Sequence, residues 1–164
     1  PTVFALSRQG LPVWNPAGVP ADAIDRGAYI LRYSFKEDAG PDLILMATGS
    51  EVHLCTRAAD LLEAEGIATR VVSMPCVDRF AEQDDAYREK VLPASCRARV
   101  SVEAAATLGW ERWLTDDGEA IGMKGFGASG PAPQLYEHFG FTPERIAERG
   151  RAVAERIRAR GGDR

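Results

Sequence analysis

The sequence has few of the residues that build metal centres and covalent catalytic sites. It holds two histidines, three cysteines and a single asparagine, Asn15. Cys55, Cys76 and Cys96 are far apart in the chain and form no C-x-x-C pair, so neither a disulfide framework nor a zinc site is indicated. Reduced thiols are typical of a reducing compartment, and we therefore expect a cytoplasmic protein.

The sequence also lacks long apolar runs and an excess of positive charge. No apolar run approaches the roughly 18 residues of a membrane-spanning helix, and the first residues do not show the basic and apolar regions of a signal peptide. The formal net charge is −4, which provides no overall basic field for a nucleic acid or an anionic membrane. We therefore expect no nucleic acid and no membrane among the partners.

The chain does contain enough apolar residues for the core of one domain, with 45% hydrophobic content over 164 residues. Its clearest pattern is the segment 42–51, an apolar run followed by Thr-Gly-Ser-Glu. Residues 43–47 are apolar on both faces of any strand, which is typical of a parallel sheet between two helix layers. Thr48 or Ser50 is predicted to cap the following helix, and Glu51 lies where a negative charge stabilises the helix N-terminus.

The remaining patterns predict a sheet with covering helices. A helix ending at Gly66 and a strand over 68–74 complete a βαβ unit. The aromatic and aliphatic segment 27–33 is expected to fold back beside Leu43 as an antiparallel edge strand. Further predicted elements are a helix over 84–92, strands over 99–103 and 120–123, and helices over 131–139 and 142–158. We therefore predict the α/β class, with three α/β/α layers around a mostly parallel, five-stranded mixed sheet that has one antiparallel edge strand.

Composition changes near the start of the chain. The segment 10–22 holds three prolines and two glycines, which disfavour regular structure and indicate a linker. We expect residues 1–22 to be the end of a preceding domain plus this linker, with the first nine residues containing its last strand. Residues 23–164 are then the main domain.

Two glycine-containing motifs suggest ligand sites but have simpler explanations. Residues 125–130 fit G-x-G-x-x-G, but a dinucleotide site also needs a following helix and a second parallel strand, and here only helices follow. We interpret this motif as a loop at the sheet edge. Thr-Gly-Ser at 48–50 could bind an anion through free backbone amides, yet it lacks the lysine of a phosphate loop, and a capped helix is the simpler interpretation.

The remaining chemically active side chains form no catalytic pattern. His53 and Cys55 are two positions apart on a helix and point to different faces, which excludes a paired base and nucleophile. His138 lies near a helix end, where it interacts favourably with the helix dipole. The arginines over 145–160 alternate with glutamates, and Ile146, Val153 and Ile157 form a buried stripe on the same helix. We interpret these arginines as a solvated helix face.

Six strings resemble, in the family's order, the C-terminal quarter of transketolase. They are P-T-V-F-A-L-S-R-Q-G-L-P at 1–12, A-T-G-S-E-V at 47–52, R-V-V-S-M-P at 70–75, Q-D-D-A-Y-R-E-K-V-L-P at 83–93, V-E-A at 102–104 and F-G-A-S-G-P at 126–131. The resemblance covers almost the whole chain. It departs from the family at Gly10 and Gly130, where asparagine and alanine are usual, and neither position is assigned to chemistry.

The resemblance implies a specific function for the protein that contains this segment. Transketolase transfers a two-carbon ketol unit from a ketose phosphate to an aldose phosphate, using thiamine diphosphate and a divalent metal such as Mg²⁺ or Ca²⁺. The enzyme is a homodimer, with the cofactor between a diphosphate-binding domain and the partner's pyrimidine-binding domain. By resemblance, residues 1–22 end the pyrimidine-binding domain and residues 23–164 are the C-terminal domain, whose role is structural or regulatory. Arg8 matches an active-site arginine that binds the sugar phosphate.

The cofactor signature of the family is missing from the chain. The diphosphate motif resembles G-D-G followed by an asparagine metal ligand, whereas Asp116, Asp117 and Gly118 lack the leading glycine and Asn15 precedes them. The family's catalytic glutamate would also lie upstream of Pro1. We therefore expect a non-catalytic part of an enzyme, without cofactor or metal ligands of its own.

Two alternatives remain. The chain could be an independent regulatory module that binds a small anion at the 48–51 turn, or the equivalent domain of a related thiamine enzyme, such as deoxyxylulose-phosphate synthase or a pyruvate dehydrogenase beta subunit. An initial strand followed by a proline-rich linker disfavours the first alternative. The strings at 7–9 and 83–93 disfavour the second, because they are more similar to transketolase.

Overall fold

Five strands and five α-helices make up the described part of this computed structural model, which covers residues 7, 9–13, 19–33 and 40–161. The strands are β1 (Tyr29–Tyr33), β2 (Leu43–Ala47), β3 (Thr69–Ser73), β4 (Arg99–Val102) and β5 (Glu119–Ile121). The helices are α1 (Val52–Ala64), α2 (Val77–Ala81), α3 (Asp85–Val91), α4 (Ala132–Phe139) and α5 (Pro143–Gly161). Within these ranges, no helix is both long and apolar enough to cross a membrane.

The strands form one mixed sheet in the order β1-β3-β2-β4-β5. Strands β2 to β5 pair in parallel, and β1 pairs antiparallel with β3. The predicted α/β class, with a five-stranded mixed sheet and one antiparallel edge strand, is therefore confirmed. The prediction that this edge strand lies beside Leu43 is wrong, since Tyr29 lies opposite Ser73 of β3. Both edges of β2 are already hydrogen-bonded to parallel strands, so no position beside it remains for β1.

Strand β2 is at the centre of the core, as its apolar run predicts. All five of its residues are buried. Leu43 and Leu45 face α1 and α5. Helix α5 approaches the sheet closely at Gly150, where an added Cβ atom would lie 2.8 Å from Leu43 Cδ2 and 3.6 Å from Leu45 Cδ2. One helix layer therefore lies directly against this face.

The other face of the sheet is covered by the segment around α3. Ile44 lies between Arg70 and Arg99 in the register of the parallel strands. The Arg70 guanidinium donates to the carbonyls of Lys90 and Val91 at 2.9 and 3.0 Å, at the C-terminus of α3, where carbonyl groups lack helical partners. Arg99 donates to the next carbonyls, of Leu92 and Pro93. The guanidinium groups of Arg70 and Arg99 thus donate hydrogen bonds to the carbonyl groups at the C-terminal end of α3 and just beyond it.

Gly27 brings the start of the domain against helix α2, which the sequence patterns did not predict. The Cys76 amide donates to the Gly27 carbonyl at 3.0 Å, and Phe80 of α2 is fully buried. Gly27 has φ of +80°, and a Cβ atom there would lie 2.3 Å from the Cys76 carbonyl oxygen. Only glycine fits this contact without a backbone shift.

Helix α5 carries the buried stripe that its sequence predicts. Ile146 and Val153 are fully buried, and the Thr142 hydroxyl accepts a hydrogen bond from the Arg145 amide at 3.3 Å, as expected of an N-cap. Several arginines of this helix form ion pairs with acidic residues of other segments: Arg149 with Glu119, Arg151 with Glu65, Arg158 with Asp42, and Arg160 with Asp117. These arginines therefore attach α5 to the C-terminal end of α1 and to the segments at the start of β2 and β5.

Candidate functional site

The sheet has a topological switch point between β2 and β4. From β2 the chain continues to its neighbour β3, toward the β1 edge of the sheet, whereas from β4 it continues to its neighbour β5, at the opposite edge. In open α/β sheets, ligands bind in the crevice at the carboxyl ends of the strands at such a point. Residues 48–51 follow β2 here and residues 103–104 follow β4. This crevice is therefore the first candidate for a site.

A buried carboxylate, that of Glu51, occupies the crevice. The residue is only 4% exposed. Its Oε2 atom accepts a hydrogen bond from the Ala104 amide at 3.1 Å, and its Oε1 atom accepts from Ser50 Oγ at 2.7 Å and from Tyr136 Oη at 2.9 Å. None of the ion pairs among the described residues includes Glu51. Hydrogen bonds from neutral groups therefore satisfy this charge.

Tyr136 of α4 connects Glu51 to Gln9, near the start of the chain. Its hydroxyl donates to Glu51 and accepts a hydrogen bond from Gln9 Nε2 at 2.9 Å. Burial raises the pKa of the Tyr136 phenol, and the neighbouring carboxylate raises it further, so the hydroxyl keeps its proton as a donor. The ring packs edge-on against Phe141. Glu51, Tyr136 and Gln9 thus form one connected group, although they are far apart in sequence.

A pocket of about 240 Å³ with a mainly apolar lining lies beside this group. Its lining includes Gln9, Leu135 and Tyr136. Leu108 and Phe126, in the loops that follow β4 and β5, are almost fully exposed. The loops at the carboxyl ends of the strands therefore carry both the buried polar group and apolar side chains that no described residue covers.

The predicted phosphate-binding residue, Arg8, lies outside the described residues, so its assignment stays a prediction. Ser7 and Gln9 on either side of it are described. The glycines of the 125–130 motif lie in a loop, and a Cβ atom added at Gly125 or Gly127 would have nothing within 4 Å. A larger residue would therefore meet no steric clash at either position.

The 48–51 turn differs from the predicted helix cap. Residues Gly49–Glu51 form a short 3₁₀ helix, and α1 begins only at Val52. Thr48 makes no side-chain capping hydrogen bond, and the Ser50 hydroxyl donates to Glu51 instead. The prediction that Thr48 or Ser50 caps the helix is therefore wrong, because the 3₁₀ turn moves the start of α1 and the carboxylate accepts the serine hydroxyl.

The other candidate side chains have structural contacts. Cys55 is fully buried, and burial raises the pKa of its thiol. The His138 ring packs edge-on against Phe139 with centroids 4.8 Å apart. Asp117, of the imperfect diphosphate motif, accepts hydrogen bonds from Arg97 at 2.7 and 3.0 Å and also pairs with Arg160. Over the ranges that the structure describes, no three acidic, histidine or cysteine side chains are grouped to hold a metal.

Comparisons with known proteins agree with this architecture. A family model described as the transketolase-like TK C-terminal domain matches residues 27–142. Transketolase 1 of Pasteurella multocida is 44% identical over 153 residues, which are 93% of this chain and 23% of the relative. Transketolase of Rhodobacter capsulatus is 48% identical over 153 residues, covering 90% of this chain and 22% of the relative.

A solved structure gives the same result at the level of the fold. The transketolase of Pichia stipitis in complex with sedoheptulose 7-phosphate superposes with a TM-score of 0.73 and 36% identity, covering 82% of this chain and 19% of that chain. The chain thus spans 22–23% of the length of the two curated relatives described above. The family model and these similarities show that the chain belongs to the transketolase C-terminal domain family.

Proposed function

We propose that this chain is the C-terminal part of a transketolase, an enzyme that transfers a two-carbon ketol unit from a ketose phosphate to an aldose phosphate in the pentose phosphate pathway. The observation that carries the proposal is the identity of 44–48% to named transketolases over about nine-tenths of the chain. Residues 1–22 are the end of the pyrimidine-binding domain plus a linker, and residues 23–164 are the C-terminal domain. The protein is cytoplasmic.

Arg8 is the residue of this chain that binds the substrate, through the sugar phosphate. A planar guanidinium donates two parallel hydrogen bonds to phosphate oxygens, which suits this role. The similar transketolase of Pichia stipitis was solved as a complex with sedoheptulose 7-phosphate, which supports the substrate class. The hydrogen bond of the neighbouring Gln9 to Tyr136 also shows that the segment next to Arg8 contacts the domain.

Thiamine diphosphate and its Mg²⁺ or Ca²⁺ are held by other domains of the protein. The described residues do not fit such a site, because Asp117 of the imperfect motif is already paired with Arg97 and Arg160. The role of this domain is to pack against the remaining domains and against the second subunit of a homodimer. Leu108 and Phe126, in the loops that follow β4 and β5, are exposed large apolar side chains that packing against another domain would cover.

The alternative of a regulatory anion site at residues 48–51 is disfavoured by Glu51. Its carboxylate lies at this turn and accepts hydrogen bonds from the Ser50 hydroxyl and from the Ala104 amide. A second negative charge in this crevice would be repelled by the first. No observation on the described residues favours this alternative.

The experiment that tests the proposed function is the substitution Arg8→Ala in the full-length enzyme. Charge-assisted hydrogen bonds contribute about 1.5–3 kcal/mol, so kcat/KM for phosphorylated sugars should fall by about tenfold to 150-fold. The phosphate is remote from the bond that breaks, and the loss should therefore appear mainly in KM. Arg8→Lys should restore only part of the loss, because lysine keeps the charge without the planar fork.

The control is an acceptor without a phosphate, such as free ribose or glycolaldehyde. Arg8→Ala should leave the reaction with this acceptor nearly unchanged. An equal loss for phosphorylated and unphosphorylated acceptors would show that Arg8 is a structural residue and that the site assignment is wrong.

A further inference from the structure

The hydrogen bonds around Tyr136 have a fixed direction. A carboxylate only accepts hydrogen bonds, so the single hydroxyl proton of Tyr136 points to Glu51 Oε1 at 2.9 Å. The phenol oxygen is then left as an acceptor, and Gln9 Nε2 donates to it at 2.9 Å. Hydrogen bonds in such a series polarise one another, so the carboxylate strengthens the bond that Gln9 makes.

The carboxylate end of this series is anchored in the fold. Glu51 is 4% exposed, and it is also held by Ser50 Oγ and by the Ala104 amide, which follows a different strand. Tyr136 lies on α4, where its ring packs against Phe141. Movement of the Glu51 carboxylate would break three hydrogen bonds of a buried group, which is unfavourable.

The free end of the series is next to the predicted phosphate ligand. Arg8 is joined directly to Gln9, and consecutive Cα atoms are about 3.8 Å apart, so the hydrogen bond to Tyr136 lies one position along the chain from the predicted phosphate ligand. Side chains that bind substrate need a supporting layer that fixes their position. The domain supplies such a support from Glu51 through Tyr136.

We propose that Glu51 and Tyr136 are positioning residues for substrate-phosphate binding: through Gln9 they hold the segment that carries Arg8. This inference rests on the proposed function, in which Arg8 binds the phosphate. It gives the domain a part in recognising phosphorylated sugars, although Glu51 and Tyr136 do not touch the substrate. Its effect is on KM for phosphorylated substrates, since the chemical step is not involved.

The test is Tyr136→Phe in the full-length enzyme with its cofactor bound. Phenylalanine keeps the ring packing and removes only the hydroxyl. We expect KM for a phosphorylated sugar to rise about two- to tenfold, the effect of losing the hydrogen bond that holds Gln9, with kcat unchanged. KM for an acceptor without a phosphate should stay the same. Gln9→Ala should give the same pattern, and combining it with Tyr136→Phe should add little, because both changes break the same hydrogen bond.

Tyr87→Phe is the matched control. Tyr87 is also half-buried, and its hydroxyl donates to the Ala28 carbonyl at 2.9 Å, away from Glu51 and Gln9. This variant should leave both KM values unchanged. If Tyr136→Phe leaves KM for the phosphorylated sugar unchanged, or raises KM for both kinds of acceptor equally, the positioning role is wrong.

Arg8→Ala separates this failure from a failure of the proposed function. When Arg8→Ala weakens only phosphorylated substrates and Tyr136→Phe does not, the positioning role fails and the phosphate assignment stands. If Arg8→Ala weakens the reactions with phosphorylated and unphosphorylated acceptors equally, the phosphate assignment itself fails. In the double variant Arg8→Ala with Tyr136→Phe, KM for the phosphorylated sugar should be no higher than in Arg8→Ala alone. A positioning residue has no effect on this KM once the arginine that it positions has been removed.

Discussion

Replacing Gly27 by alanine should destabilise the domain much more than the same change at Gly66. Both glycines have left-handed backbone conformations, with φ of +80° and +78°. An alanine in this region costs about 1–2 kcal/mol at either position. A Cβ atom at Gly66 would meet nothing within 4 Å, so this conformational cost is the whole effect expected there.

Gly27 has a second, steric cost. Its Cβ atom would lie 2.3 Å from the Cys76 carbonyl oxygen and 2.5 Å from the Phe80 amide nitrogen, both backbone atoms. Helix α2 must move to admit it, which strains the bond from the Cys76 amide to the Gly27 carbonyl and shifts the buried Phe80. Overpacking of this kind adds about 1–3 kcal/mol. We therefore expect a total loss of about 2–5 kcal/mol for Gly27→Ala.

Urea denaturation of the 164-residue chain, followed by circular dichroism, measures both losses. Tryptophan fluorescence gives a second probe, since the Trp113 ring lies 4.9 Å from the Phe80 ring. The midpoint should fall for both variants, with the larger fall for Gly27→Ala and little change in slope. Equal losses at the two positions would refute the steric argument, and a neutral Gly27→Ala would also refute the left-handed conformation of this residue.

Two further predictions concern the limits of the domain and the location of the cofactor. Deleting residues 1–22 should leave a cooperative thermal transition, although it removes the Gln9 to Tyr136 hydrogen bond, worth about 0.5–1.5 kcal/mol, together with the Asp22 to Arg26 ion pair and the packing of Val19 on the core; a molten or insoluble product would contradict the proposed boundary. Calorimetric titration of the chain with thiamine diphosphate and Mg²⁺ should show no saturable binding, and micromolar affinity would contradict the proposal that other domains hold the cofactor.

Local patterns were enough to predict all five strands of the sheet and four of the five α-helices among the described residues, but not the order of the strands. The fully apolar run of β2 requires cover on both faces, which identifies it as a central strand. The partner of β1 could not be found this way, because the alternation of side chains in 27–33 fits any sheet edge equally well. Helix α2 was missed because it has only five residues, too few for a helical period to emerge, and begins two positions after Pro75.

The candidate site depends on contacts that no local pattern contains. Glu51 was predicted only as a favourable charge at a helix start, whereas its carboxylate is bonded to Tyr136, 85 positions away. Gln9 and Tyr136 are 127 positions apart. The sequence signal that was available is a lone acidic residue shortly after the buried apolar run 43–47, since a carboxylate that is buried there would need hydrogen-bond donors. Arg8 was assigned by family resemblance, and that assignment stays a prediction.

The buried carboxylate of Glu51 has a consequence for ligand selectivity. Many α/β sheets take up an anion at the switch point, whereas here a side chain of the same chain supplies the negative charge and accepts the Ala104 amide. A phosphate compound entering the crevice would meet like charge in a poorly solvated place and would have to displace three hydrogen bonds. Like-charge repulsion and the existing hydrogen bonds of Glu51 therefore make this crevice an unfavourable place for a phosphate group.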